Sequence, residues 1–141
     1  MNPQDRGNYL KALLILVGKD KKIVRQEREN LIKLANILGF GKEFCDEAMN
    51  EYFENEYLVQ DPPKFSDKKI AEAFLLDGIR LAVADKELHL FELNWLKSIA
   101  DINGIHSGWG FDQYEKIKGD EKKSLNKFFI EDLLTQNEVE S

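Results

Sequence analysis

Four carboxylates in this chain recur in register. Glu27 follows Asp20 by seven residues and Glu92 follows Asp85 by seven, so the two pairs stand 65 residues apart. Carboxylate oxygens are hard ligands, and four of them brought together form a donor set that calcium or magnesium prefers. Asp77 and Glu87 add negative charge around the second pair, where the equivalent positions of the first hold Ala12 and Lys22. That makes the second turn the stronger half of such a site. Neither turn is an EF-hand, because the Asp-x-Asp-x-Asp-Gly progression with its central glycine is missing. The competing reading is ordinary turn chemistry. A helix N-terminus favours an acidic residue such as Glu27 or Glu92 by roughly 0.3–1 kcal/mol, and aspartate in a tight turn commonly accepts bonds from the backbone.

No other grouping points to catalysis. His89 and His106 are the only histidines and a helical stretch separates them; no serine or cysteine stands as an obvious nucleophile. A single cysteine, Cys45, excludes zinc ligation by several cysteines and an intramolecular disulfide. Beside Phe44, Ala48 and Met49 it reads as a small buried hydrophobe. Trp95 and Trp109 read as packing residues rather than a stacking platform. No glycine-rich phosphate loop follows a strand. The expectation is a protein that is not an enzyme.

The elements that must position the acidic pairs are helical. With 43% hydrophobic and 33% charged residues in 141, the chain has the composition of an ordinary globular domain, and its three prolines leave long stretches free to be helical. Asn2 followed by Pro3 marks a helix start, and a first helix runs to about residue 17. Its apolar residues Tyr9, Leu10, Leu13, Leu14, Ile15, Leu16 and Val17 cover nearly every side, as suits the middle of a bundle. A second helix over 24–38 carries Leu31, Leu34, Ala35 and Leu38 at three-and-four spacing and stops at Gly39. A third, over 42–54, carries Phe44, Ala48, Met49, Tyr52 and Phe53. Pro62 and Pro63 then break the pattern across 56–65.

Ser66 and Asp67 are suited to cap a fourth helix over 67–84. A fifth, over 90–103, repeats the second with Leu93, Leu96, Ile99 and Ala100 and stops at Gly104. After the turn at 105–110, helices are expected over 111–118 and 120–135. The fold class is therefore all-α: one domain over 1–141 of about seven helices, with two pseudo-symmetric hairpins at 3–40 and 67–105.

The hairpins are related by an internal repeat. Aligned without a gap at the same offset of 65, Leu10, Leu16, Asp20, Lys21, Glu27, Leu31, Ala35, Ile37 and Gly39 match Leu75, Leu81, Asp85, Lys86, Glu92, Leu96, Ala100, Ile102 and Gly104. Core leucines and a stop glycine are what any two helical hairpins share. The acidic matches are different, since a core has no use for them. Two copies of Asp-x-x-apolar-x-x-x-Glu, each after an apolar helix and before a Leu-x-x-Leu/Ile-Ala-x-Ile-x-Gly-apolar ending, resemble the TerB-like domains, over residues 10–105. That resemblance implies an all-helical module associated with tellurite resistance and stress responses. It also implies a metal site that gathers acidic residues from both turns, here Asp20, Glu27, Asp85 and Glu92. The family commonly has Asp-Gly at each turn, whereas this chain has Asp20-Lys21 and Asp85-Lys86.

A net charge of −6 argues against general nucleic-acid binding, which needs a basic face. The local cluster Lys19, Lys21, Lys22, Arg25 and Arg28 reads as a solvated helix start. The apolar run at 12–17 is too short to span a bilayer and lacks signal-peptide flanks, so a cytoplasmic location is expected. Two functions of different class remain. One is a cation-responsive module of the TerB type. The other is a metal-independent module that binds a protein partner or a second copy of itself, through aromatics among Tyr52, Phe53, Tyr57, Phe65 and Trp109.

Overall fold

The computed structural model describes residues 1–18, 25–54, 61–84 and 90–106, together with 108, 109, 112, 115, 116, 128–131, 133 and 134. Within its helices the side chains at 17, 18, 25–27, 52–54, 82–84, 90 and 91 are not described. Helix α1 spans Pro3–Gly18, α2 Arg25–Ile37, α3 Lys42–Glu54, α4 Lys68–Ala84 and α5 Leu90–Ile102. The described residues contain no strand, and the chain is all-α. Among the described residues no helix is long and apolar enough to cross a membrane.

Contacts divide the chain into two compact units, Asn2–Asp61 and Pro62–Ser141. In the first, α1, α2 and α3 pack pairwise on one another; in the second, α4 packs on α5. Pro62 and Pro63 lie in the non-helical stretch 61–65, so α3 and α4 are separate helices.

The starts follow sequence. Asn2 is the N-cap of α1, its Oδ1 accepting the Asp5 N–H at 2.7 Å, with Pro3 at the first helical position where a missing N–H costs nothing. Asp67 caps α4 by accepting the Lys69 N–H at 2.9 Å.

The stops repeat bond for bond. The Gly39 N–H donates to Asn36 O at 3.0 Å and the Phe40 N–H to Ala35 O at 2.8 Å; the Gly104 N–H donates to Asp101 O at 3.2 Å and the Ile105 N–H to Ala100 O at 2.8 Å. Both are Schellman closures, which need a left-handed residue. The glycines supply it, at φ 96° and 72°.

The leading helix of each unit is buried on the most sides. Tyr9, Leu10, Ala12, Leu13, Leu14 and Leu16 are buried, covering roughly 200° of α1 at 100° per residue. Around α4 the buried set is wider still: Ala71, Ala73, Phe74, Leu75, Asp77, Gly78, Ile79 and Leu81. The second helices bury narrower stripes, Leu31, Leu34, Ala35 and Leu38 on α2 and Trp95, Leu96, Ile99 and Ala100 on α5.

Two stripe residues lie elsewhere than periodicity places them. Phe44 is 52% exposed, because the buried stripe of α3 is centred on Cys45 and Met49 and Phe44 falls roughly 100° from Cys45. Its ring instead stacks on Phe40 at 4.9 Å. Leu93, 45% exposed, sits at the edge of the α5 stripe, and Trp95 is buried in its stead. The helix expected over 120–135 also differs. Phe128 is not helical, and among the described residues helix is found at 129–131, 133 and 134. Helical residues at 112, 115 and 116 fall within the helix expected over 111–118.

Candidate functional site

Asp20 and Asp85 lie outside the described residues, and so does the side chain of Glu27. The backbone places Glu27 as the third residue of α2 and Glu92 as the third residue of α5. Both thus stand in a first turn, where the unpaired N–H groups of a helix favour negative charge. The Glu92 side chain is half-buried. Among the described residues no three His, Cys, Asp or Glu side chains gather in a way that would hold a metal ion. What speaks for a cation is the chemistry of the donor set, four carboxylates and no softer ligand, which suits a hard divalent ion.

Asp77, which the sequence groups with the second acidic pair, has its carboxylate engaged by backbone amides. It is fully buried on α4, and both its oxygens accept backbone bonds from a distant helix start. The Phe129 N–H donates to Oδ1 at 2.7 Å and the Ile130 N–H donates to Oδ2 at 3.2 Å. Glu131 completes the arrangement, its Oε1 accepting the Phe128 N–H at 3.1 Å. This is half of a capping box, in which the N3 glutamate reaches back to the N-cap amide. The other half normally comes from a serine or threonine at the N-cap. Phe128 has no such oxygen, so a carboxylate from α4 supplies it.

Arg80, one turn along α4, lies over the same segment. Its guanidinium is 6.0 Å from the centroid of Phe128 and 5.1 Å from that of Phe129, within reach of cation–π attraction. Burial lowers its pKa from the ordinary arginine value, while the negative charges of Asp77 and Glu131 pull the other way. The signal in sequence is a charged residue on the buried face of a helix: Asp77 falls between Phe74 and Leu81 at three-and-four spacing. A carboxylate there needs a partner.

The remaining candidates resolve into packing and turns. Cys45 is buried, with its Sγ 4.0 Å from Leu31 O. Burial, then the neighbouring Asp46, raise its thiol pKa, and Arg28 opposes them. His106 is exposed, and its Nδ1 accepts the Gly108 N–H at 3.0 Å, a turn bond. His89 lies outside the described residues, as do the side chains of Tyr52, Phe53 and Tyr57.

Phe65, one of the aromatics expected to meet a partner, is instead buried, with its ring 5.9 Å from that of Phe74. Asn103 holds it there. The Phe65 N–H donates to Asn103 Oδ1 at 2.9 Å, and Asn103 Nδ2 donates to Pro63 O at 2.9 Å and to Ile99 O at 2.8 Å. The carboxamide thus fixes the segment after the prolines against the end of α5. Trp109 is half-buried.

Compared with known proteins, the chain matches no family model, no curated protein and no solved structure.

Proposed function

We propose that this chain is a TerB-like, non-enzymatic helical module, built on an internal repeat, that binds a divalent cation of the calcium or magnesium type through Asp20, Glu27, Asp85 and Glu92. The observation that carries the reading is the recurrence of the Asp…Glu pair at the offset at which the two hairpins also stop alike. Glu27 and Glu92 take the same position in α2 and α5, and the two Schellman closures use equivalent donors and acceptors. Its place would be the cytoplasm and its role in a stress response of the tellurite-resistance kind, with a protein partner rather than nucleic acid. Lys21 and Lys86 are the groups that compete with a cation for these carboxylates.

Calorimetric titration of the full chain with calcium, magnesium, manganese and zinc tests the reading, together with thermal melting over the same concentrations. A cation that binds the folded state alone raises the melting temperature as its concentration passes its dissociation constant. Asp85→Asn should weaken that rise more than the other single substitutions of the set. No heat and no shift at millimolar ion would remove the cation.

The second reading, a metal-independent interaction module forming a homodimer or binding another protein, is favoured by one feature. The stacked pair Phe40 and Phe44 places an aromatic ring 52% exposed at the start of α3. Loss of a dimer or complex on Phe44→Ala, with unchanged melting, supports it.

A further inference from the structure

The chain has ten asparagines, and Asn103 alone is followed by glycine. Two separate demands of the fold put that pair there. Gly104 is the left-handed stop of α5, at φ 72°. Asn103 ties down the segment after the prolines. Its Oδ1 accepts the Phe65 N–H at 2.9 Å, and its Nδ2 donates to Pro63 O at 2.9 Å and to Ile99 O at 2.8 Å. A carboxamide both accepts and donates, whereas a carboxylate here would set its second oxygen against two carbonyl oxygens. At the other stop glycine, Gly39, the preceding residue is the buried Leu38.

Asn-Gly is also the pair in which an asparagine closes most readily on its own backbone. Glycine has no Cβ to hinder the attacking nitrogen and leaves the chain free to bring it round. The Gly104 nitrogen, giving its proton to water, attacks Cγ of Asn103. The Cγ–Nδ2 bond breaks, and Nδ2 leaves as ammonia with a proton taken from water. The five-membered succinimide then takes up one water. Opening at one ring carbonyl or the other leaves aspartate or isoaspartate at 103.

In the folded chain every group that this reaction needs is engaged. Nδ2, the leaving group, donates twice and Oδ1 accepts. The attacking nitrogen holds its proton in a bond to Asp101 O at 3.2 Å. Turning the carboxamide toward Gly104 gives up the bonds to Phe65, Pro63 and Ile99 together.

We propose that Asn103–Gly104 is a deamidation site guarded in the native fold by the same three bonds that fix residues 63–65, and that its reaction in the unfolded chain is a one-way loss of the native state. No second native form is invoked: the reactive form is the unfolded chain, in which none of these bonds exists. Neither product remakes the clamp. Aspartate places an ionised oxygen against Pro63 O and Ile99 O, where Nδ2 donated. Isoaspartate adds a methylene to the backbone and misplaces the Gly104 and Ile105 N–H groups, which close on Asp101 O and Ala100 O. Phe65, buried with its ring near that of Phe74, loses its anchor in either case.

The test holds the full chain at pH 8 with and without urea. Residue 103 is read by peptide mass spectrometry, with aspartate and isoaspartate separated by chromatography. In urea Asn103 should convert faster than any other asparagine of the chain. In buffer it should convert more slowly than in urea by about tenfold or more, the weight of the bonds that must first be given up. After removal of urea, the native melting transition should return only in the unmodified fraction. Asn103→Asp, a uniform sample of one product, should melt below the wild type or fail to fold. Conversion at equal rates in buffer and urea would overturn the proposal, and so would a modified fraction or an Asn103→Asp chain that melts as the wild type does.

Discussion

The two units end their second helices in the same way and close over their first helices in opposite ways. In Asn2–Asp61 the third element is α3, which packs on both α1 and α2 and buries Cys45 and Met49. The ion pair of Arg28 on α2 with Asp46 on α3, at 3.1 Å, is largely exposed. In Pro62–Ser141 a helix start is seated on α4 by the buried carboxylate of Asp77. At the equivalent position the first unit has Ala12, also buried. Ala12 thus serves apolar packing on α1, whereas Asp77, 65 residues on, serves as a polar cap on α4. Apolar closure tolerates small shifts, whereas a buried polar contact specifies one arrangement and is costly when half-made.

Exchanging the residues breaks this comparison most directly. Ala12→Asp puts a carboxylate among Tyr9, Leu13 and Leu16, all buried on α1, and should cost several kcal/mol. Asp77→Ala leaves two amides without their acceptor and should cost about 3 kcal/mol. Urea unfolding of each variant measures both. An Ala12→Asp chain within about 1 kcal/mol of the parent would mean that the first unit can also seat a charge at this position.

The shared feature, the glycine stop, gives the next largest effect. Gly39→Ala and Gly104→Ala each force a side chain into the left-handed region, for about 1–2 kcal/mol. Gly39→Ala should be the worse of the two. Its Cβ would meet Arg6 Nη1 at 3.0 Å, an atom that also donates to Leu38 O at 3.0 Å, whereas a Cβ at Gly104 meets nothing within 4 Å. Equal losses in urea unfolding would show that Arg6 yields freely.

The difference between the units also explains what could be read in advance. The helices from Pro3 to Ile102, their caps at Asn2 and Asp67 and their glycine stops follow from local rules: a short oxygen before a helix, a glycine after it, apolar residues at three-and-four spacing. Those rules act within a few residues, so the sequence displays them. The Asp77 cap joins residues more than fifty apart, and nothing near Phe128 announces that its cap comes from another helix. The charge on the buried face of α4 was visible, but its partner was not. Periodicity also marks a stripe without fixing its centre, which is why Phe44 and Leu93 emerge exposed. Phe65 failed for another reason. It follows two prolines and looks like loop, but Asn103 ties its backbone down and buries its ring. Of the acidic set, the shared first-turn placement of Glu27 and Glu92 was legible because it is local.

Cys45 sharpens the apolar side of the comparison. Burial raises its thiol pKa, so the folded state holds the proton where the unfolded chain has lost it. The sign follows. Stability is unaffected below the ordinary thiol value and falls as pH rises above about 8.5, and Cys45→Ser should remove that part of the alkaline slope. Native-state labelling by a thiol reagent at pH 8 should be slow and become fast on denaturation. Rapid labelling of the folded chain would mean that α3 opens easily, and that apolar closure is the looser of the two.

The smallest expected effect belongs to Arg28. Its side chain is 53% exposed and that of Asp46 31%, so solvent and salt screen the pair, and exposed pairs of this kind are worth roughly 0–1 kcal/mol. Arg28→Ala should therefore change unfolding by no more than about 0.5 kcal/mol, with less difference still in high salt. A second readout comes from the thiol beneath it. Arg28 is the one group named above that lowers the Cys45 pKa, against burial and Asp46. Removing it should push that thiol higher and slow its labelling further, even where stability hardly moves. A large stability loss, or faster labelling, would show that the first unit leans on charge between α2 and α3, and the contrast with the Asp77 cap would then be one of degree.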